Sequence, residues 1–132
     1  MFIIKKLYIL VAVLFLLVGC GNDGVVKGKE FTFTEEEFIE VYEEVNNKKF
    51  PDNIYVGSRR LDMGRATKEE AIQFLNAVYE ITQYEDAKNL MQGIQEGEAK
   101  ARDEFTNGKM SIVFFDDFHR SYWIGVYPYK YK

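Results

Sequence analysis

Thiol, imidazole and serine hydroxyl groups are few in this chain. There is one cysteine, Cys20, one histidine, His119, and three serines, Ser58, Ser111 and Ser121. A zinc site built from thiols or imidazoles needs several such ligands, so neither kind can be assembled from this set. A serine nucleophile would need His119 beside it, and none of the serines sits in a G-x-S-x-G turn. His119 lies in the polar run Asp116-Asp117-Phe118-His119-Arg120 and reads as a surface loop residue. Asp116 and Asp117 remain as a carboxylate pair. Two carboxylates serve as acid and base when they face one another across a substrate. Adjacent residues of one loop more often form a solvated turn. No catalytic residue, metal ligand or cofactor is therefore assigned.

Cys20 is informative through its neighbours. Leu7–Val18 is an uncharged apolar run preceded by Lys5 and Lys6. A basic start, a short apolar core and small residues at a cleavage point make a secretory signal. The run is shorter than the roughly 20 residues a bilayer span requires. It closes on Leu17-Val18-Gly19-Cys20. This resembles the lipobox of bacterial lipoprotein precursors. The resemblance implies cleavage between Gly19 and Cys20, a diacylglycerol on the Cys20 thiol and a further fatty chain such as palmitate. Two or more chains give stable membrane anchoring where one does not. Residues 1–19 are thus expected to be a signal peptide and Cys20 a lipid anchor on the extracytoplasmic side of the cell membrane.

Removing 19 residues from 132 leaves 113, a length that suits one domain. The segment removed takes two of the 17 basic residues and none of the 21 acids, so the remainder carries a formal charge of −6. That balance argues against nucleic acid, which rewards clustered Lys and Arg. It also argues against broad docking on anionic headgroups. No thiol is left for a disulfide, so an apolar core must hold the domain together.

The elements follow from spacing. Gly21–Glu30 has three glycines and four charges and no period, so residues 20–30 are expected to be a lipidated flexible linker, with the domain spanning 31–132. Thr34 and Glu37 make a capping box, with Phe33 and Phe38 as the staple. Phe38, Val41, Tyr42 and Val45 then mark one apolar helical face. Thr67 and Glu70 repeat the box, followed by Ala71, Phe74, Leu75 and Val78. The two stretches align as a duplicated unit would, although any capped amphipathic helix has this pattern. A third helix is expected from about Glu85 to Ile94. Asn53–Met63 is ambiguous, with "NIYV" a candidate strand and "GSRR" a turn.

The last third changes character. Asn107-Gly108 is a hairpin-turn signal. "MSIVFF" and "SYWIGVYPY" are rich in β-branched and aromatic residues and should pair antiparallel, with Arg102–Thr106 as a third strand. Trp123 and Tyr127 share one face of the last strand, opposite Tyr122, Ile124 and Val126. The expected fold is α+β, two to three amphipathic helices on a small C-terminal antiparallel sheet.

A capped helix first, strands last, behind a lipobox: the order is similar to the small cystatin-like-fold lipoproteins of Gram-positive bacteria. That resemblance implies a cystatin-like fold and, for some members, a role in excluding related mobile elements. The Q-x-V-x-G motif of cystatin inhibitors is absent, since Gln92-Gly93-Ile94-Gln95-Glu96 lacks the final glycine in register. No protease-binding residue is carried over. The expected function is a non-catalytic protein-binding or accessory module of the cell envelope, of exclusion or immunity type. Its candidate binding face is Trp123, Tyr127 and Tyr129, since exposed aromatics make contact anchors. The alternative is a small carboxylate-based envelope hydrolase.

Overall fold

The structure, a computed structural model, describes residues 24–97, 102–106, 110–116 and 121–129. Within them the class is α+β. The chain starts with a small hairpin, β1 (Val26–Lys27) and β2 (Glu30–Phe31), and enters α1 (Glu35–Asn46). A second hairpin, β3 (Ile54–Gly57) and β4 (Arg60–Ala66), leads to α2 (Lys68–Thr82) and α3 (Glu85–Gln95). Strands β5 (Arg102–Thr106), β6 (Ser111–Asp116) and β7 (Tyr122–Tyr127) follow. The main sheet has the order β3-β4-β7-β6-β5, with every neighbour antiparallel.

The helices start where local chemistry directs them. Thr34 Oγ1 accepts the Glu37 N–H at 3.1 Å while Glu37 Oε1 accepts the Thr34 N–H at 2.8 Å. Thr67 and Glu70 do the same for α2, at 3.2 and 2.9 Å. Each box satisfies two N–H groups that the first turn would otherwise leave without partners. Both helices end on a residue with left-handed backbone, Asn47 at φ 50° and Gln83 at φ 57°. The Gln83 N–H donates to the Tyr79 carbonyl at 2.7 Å, and its side-chain amide donates to the Tyr79 and Glu80 carbonyls.

All the helices lie on one side of the sheet. The central helix α2 packs on β4 and β7 and is flanked by α1 and α3. The strand alternation supplies the other half of the core. Ile54, Leu61, Met63, Ile112, Phe114, Ile124 and Val126 are buried, against Ala71, Phe74, Leu75 and Val78 of α2. Tyr84 ties the α2–α3 junction to the sheet by donating its hydroxyl to the Met110 carbonyl at 3.2 Å.

Two features differ from expectation. Residues 24–30 are not a linker. Val25 and Val26 are both buried in the main core, and Thr32 returns two hydrogen bonds, to the Gly24 and Val25 carbonyls. Phe31 donates its N–H to the Ser58 carbonyl at 2.7 Å, which fastens this hairpin to the β3–β4 turn. The packed fold therefore includes the chain from Gly24 onward. The sheet is also not purely C-terminal. Strand β4 pairs with β7, so the hairpin before α2 supplies two of its five strands.

Candidate functional site

With the helices on one face, the other face of the sheet is open to function. The register defines what it presents. Across the strands run Tyr55–Asp62–Gly125–Val113, then the pairs Gly57–Arg60 and Tyr127–Ser111, with Trp123 paired to Phe115 at the far end. Exposure along this face is uneven. Tyr55 is 51%, Trp123 42% and Phe115 39% exposed, and these are the exposed large hydrophobics among the described residues. Tyr127, at 7%, and Ser111, at 0%, are buried at the other end.

Glycines make the arrangement possible. A Cβ on Gly64 would lie 3.0 Å from Trp123 Cδ1, so the indole rests against bare backbone across the strand pair. On Gly125 it would meet the Tyr127 ring, at 2.9 Å from the hydroxyl. On Gly57 it would meet the Tyr55 ring, at 2.7 Å from the hydroxyl. Each aromatic thus covers a glycine that would otherwise leave a gap in the sheet surface, the packing known to rescue glycines in strands.

Charge is placed among these rings. Arg60 Nε and Asp62 Oδ2 are 2.7 Å apart, and the Arg60 guanidinium lies 4.6 Å from the Tyr55 ring centroid. Burial pushes the Asp62 carboxyl above its usual range, and the Arg60 charge opposes that shift without cancelling it. Arg59, in the β3–β4 turn, sits 5.7 Å over the Tyr129 ring, which is 5.7 Å from the Tyr127 ring.

The register of β4 against β7 shifts between Met63 and Ala66. Arg65 is the residue at this bulge, and its φ is 51°. Left-handed backbone costs a residue bearing a Cβ about 1–2 kcal/mol. Glycine is the usual occupant of such a bulge position. Arg65 is exposed and makes no ion pair among the described residues.

The residues singled out from sequence fall as follows. Gly19 and Cys20 lie outside the described residues, as do Asp117 and His119. Trp123 is on the open face and exposed. Tyr127 shares that face but is buried, its ring folded onto Gly125 of its own strand. Tyr129 is half-buried beyond the strand end. Asp116 ends β6, paired with Tyr122. Ser111 is buried and donates its hydroxyl to the Tyr129 carbonyl at 3.0 Å, while Ser58 is exposed in the β3–β4 turn. Among the described residues no cluster of His, Cys, Asp and Glu could hold a metal ion. Nor is any described helix long and apolar enough to cross a membrane.

Sequence reasoning did not find Tyr55, Phe115, Arg60, Asp62 or Arg65. A signal for two of them was present: Leu61 and Met63 alternate with Arg60 and Asp62, the period of a half-buried strand. The fold and this face define an α+β protein whose helices carry the core and whose sheet surface carries the exposed aromatics. No protein-family model, curated protein or solved structure matches the chain.

Proposed function

We propose that this protein is a lipoprotein held by Cys20 at the extracytoplasmic face of the cell membrane, where it acts as a non-catalytic protein-binding or accessory module. An exclusion or immunity role is the form of that activity that the resemblance to the small cystatin-like-fold lipoproteins implies. The observation that carries the reading is the grouping of Tyr55, Phe115 and Trp123 on one face of the sheet. Large aromatics left in water on one surface cost free energy, and such patches mark partner sites. Trp, Tyr and Arg are the residue types that dominate binding energy at interfaces, and all three occur here. The lipobox at Leu17-Val18-Gly19-Cys20 supports the location.

The test uses the full chain in cell membranes, crosslinked and captured by an affinity tag. The wild-type chain should fractionate with membranes and bring down a discrete partner. Cys20→Ala should move the chain to the soluble fraction. Trp123→Ala should abolish capture while keeping a cooperative melt. If Trp123→Ala unfolds the domain, or captures as well as wild type, the aromatic face is not the binding surface.

A further inference from the structure

The open sheet face is not electrically neutral relative to the rest of the molecule. The helices carry eleven acids and two bases. Helix α1 alone has six glutamates and no basic residue. The β3–β4 hairpin has the opposite balance. It carries Arg59, Arg60 and Arg65 against Asp62, which Arg60 already neutralises. An acidic surface approaching this domain is therefore repelled by the helices and attracted to the hairpin side.

Within that side, one corner combines three independent features. Trp123 lies against Gly64 with much of its ring exposed. Arg65 follows Gly64 directly, exposed and without an ion pair among the described residues. Its backbone is held left-handed by the bulge, a conformation that glycine would adopt without strain. Strained backbone at a non-glycine residue points to a use for the side chain.

We infer that the Trp123–Gly64–Arg65 corner takes an acidic segment of a protein partner, with an apolar residue on the indole and a carboxylate on the Arg65 guanidinium. Arg suits this role because its planar fork matches a carboxylate with two parallel hydrogen bonds. The inference rests on the sheet face being the binding surface and adds the chemistry of what it binds.

The position of the corner argues for a protein rather than a lipid occupant. The described residues begin at Gly24, beside Thr32 and the β3–β4 turn. Cys20 lies four residues before it, a span of at most about 14 Å. Trp123 is near the start of β7, whereas Tyr127 is at its end, next to Val126, which pairs with Leu61 beside the turn. The two ends of that strand are separated by about 17 Å. A tether entering at the turn end presents the Trp123 corner away from the membrane.

Trp123 is the single tryptophan of the chain, so its emission reports this corner directly. The lipidated full chain in neutral detergent is titrated with three twelve-residue peptides, alternating Leu with Glu, with Gln or with Lys. The Glu peptide should bind at least about tenfold more tightly than the Lys peptide, and the preference should weaken with added salt. Arg65→Gly should melt no lower than wild type and lose most of that preference, and Arg65→Lys should keep part of it. Equal or tighter binding of the Lys peptide, or an unchanged preference in Arg65→Gly, overturns the inference while leaving a protein-binding face. Emission unmoved by all three peptides overturns both the inference and the reading beneath it.

Discussion

Substituting Gly125 and Gly64 by alanine separates the two ends of the outer face. At Gly125 the new methyl would lie 2.9 Å from the Tyr127 hydroxyl and 3.0 Å from Cε2. Tyr127 is 7% exposed, with Tyr129 beside it, so its ring has little room to retreat. Overpacking of this kind costs about 1–3 kcal/mol. Alanine recovers about 0.5–1 kcal/mol over glycine inside a strand. The net expectation for Gly125→Ala is a loss of about 1–2 kcal/mol, or roughly 4–16 °C in melting temperature for a domain of this size. At Gly64 the methyl would meet Trp123 Cδ1 at 3.0 Å and Nε1 at 3.1 Å. Trp123 is 42% exposed and can swing outward. Gly64→Ala should therefore change stability by less than about 1 kcal/mol, because the clash is relieved at a flexible side chain. It should instead shift the tryptophan emission to the red. Urea unfolding with a constant m-value reads the first effect, and emission spectra of the native state read the second. A Gly125→Ala variant as stable as wild type, or an unmoved emission maximum in Gly64→Ala, would refute the ring placements described above.

Three further outcomes are expected. Thr67→Ala removes the acceptor for the Glu70 N–H and should cost about 1 kcal/mol in urea unfolding, because α2 is the helix on which the core is built. Tyr42 is fully buried and its hydroxyl has no hydrogen-bond partner among the described residues, so Tyr42→Phe should be neutral or stabilising by up to about 1 kcal/mol in the same assay. Asp62 has a carboxyl pKa raised by burial, so the folded state holds its proton more tightly than the unfolded chain. The stability this contributes is present below the ordinary carboxylate range and is lost as pH rises through the raised value. Melting temperatures of Asp62→Asn and wild type from acid to neutral pH should therefore diverge in favour of the variant as pH rises, and a divergence of opposite sign would contradict the burial of that carboxylate.

How far the sequence could be read depended on whether a signal was local. The capping boxes at Thr34 and Thr67 lie within four residues each, and the helices begin there. The three C-terminal strands were legible from their β-branched and aromatic runs, including Arg102–Thr106. The β1–β2 hairpin was not, because strands of two residues are too short to display alternation, and Val25 and Val26 are buried only through contacts made elsewhere. Strand β4 was obscured by its own bulge. Met63 and Ala66 both face inward although three residues apart, so the period of two breaks at Gly64-Arg65. The aromatic face was half legible. Trp123 and Tyr127 have the same phase in β7, yet one is exposed and one buried. That difference is set by Gly125 and Tyr129 around Tyr127, and no pattern within the strand encodes it.

The claim that the outer sheet face receives a protein partner is tested most directly by crosslinking from that face in living cells. A photoreactive phenylalanine analogue replaces Trp123 in one full-length chain and Glu40, exposed on α1, in another. A discrete protein adduct from position 123 and none from position 40 is the expected result. Equal adducts from both positions, or none from position 123 in folded and membrane-bound chain, would contradict it.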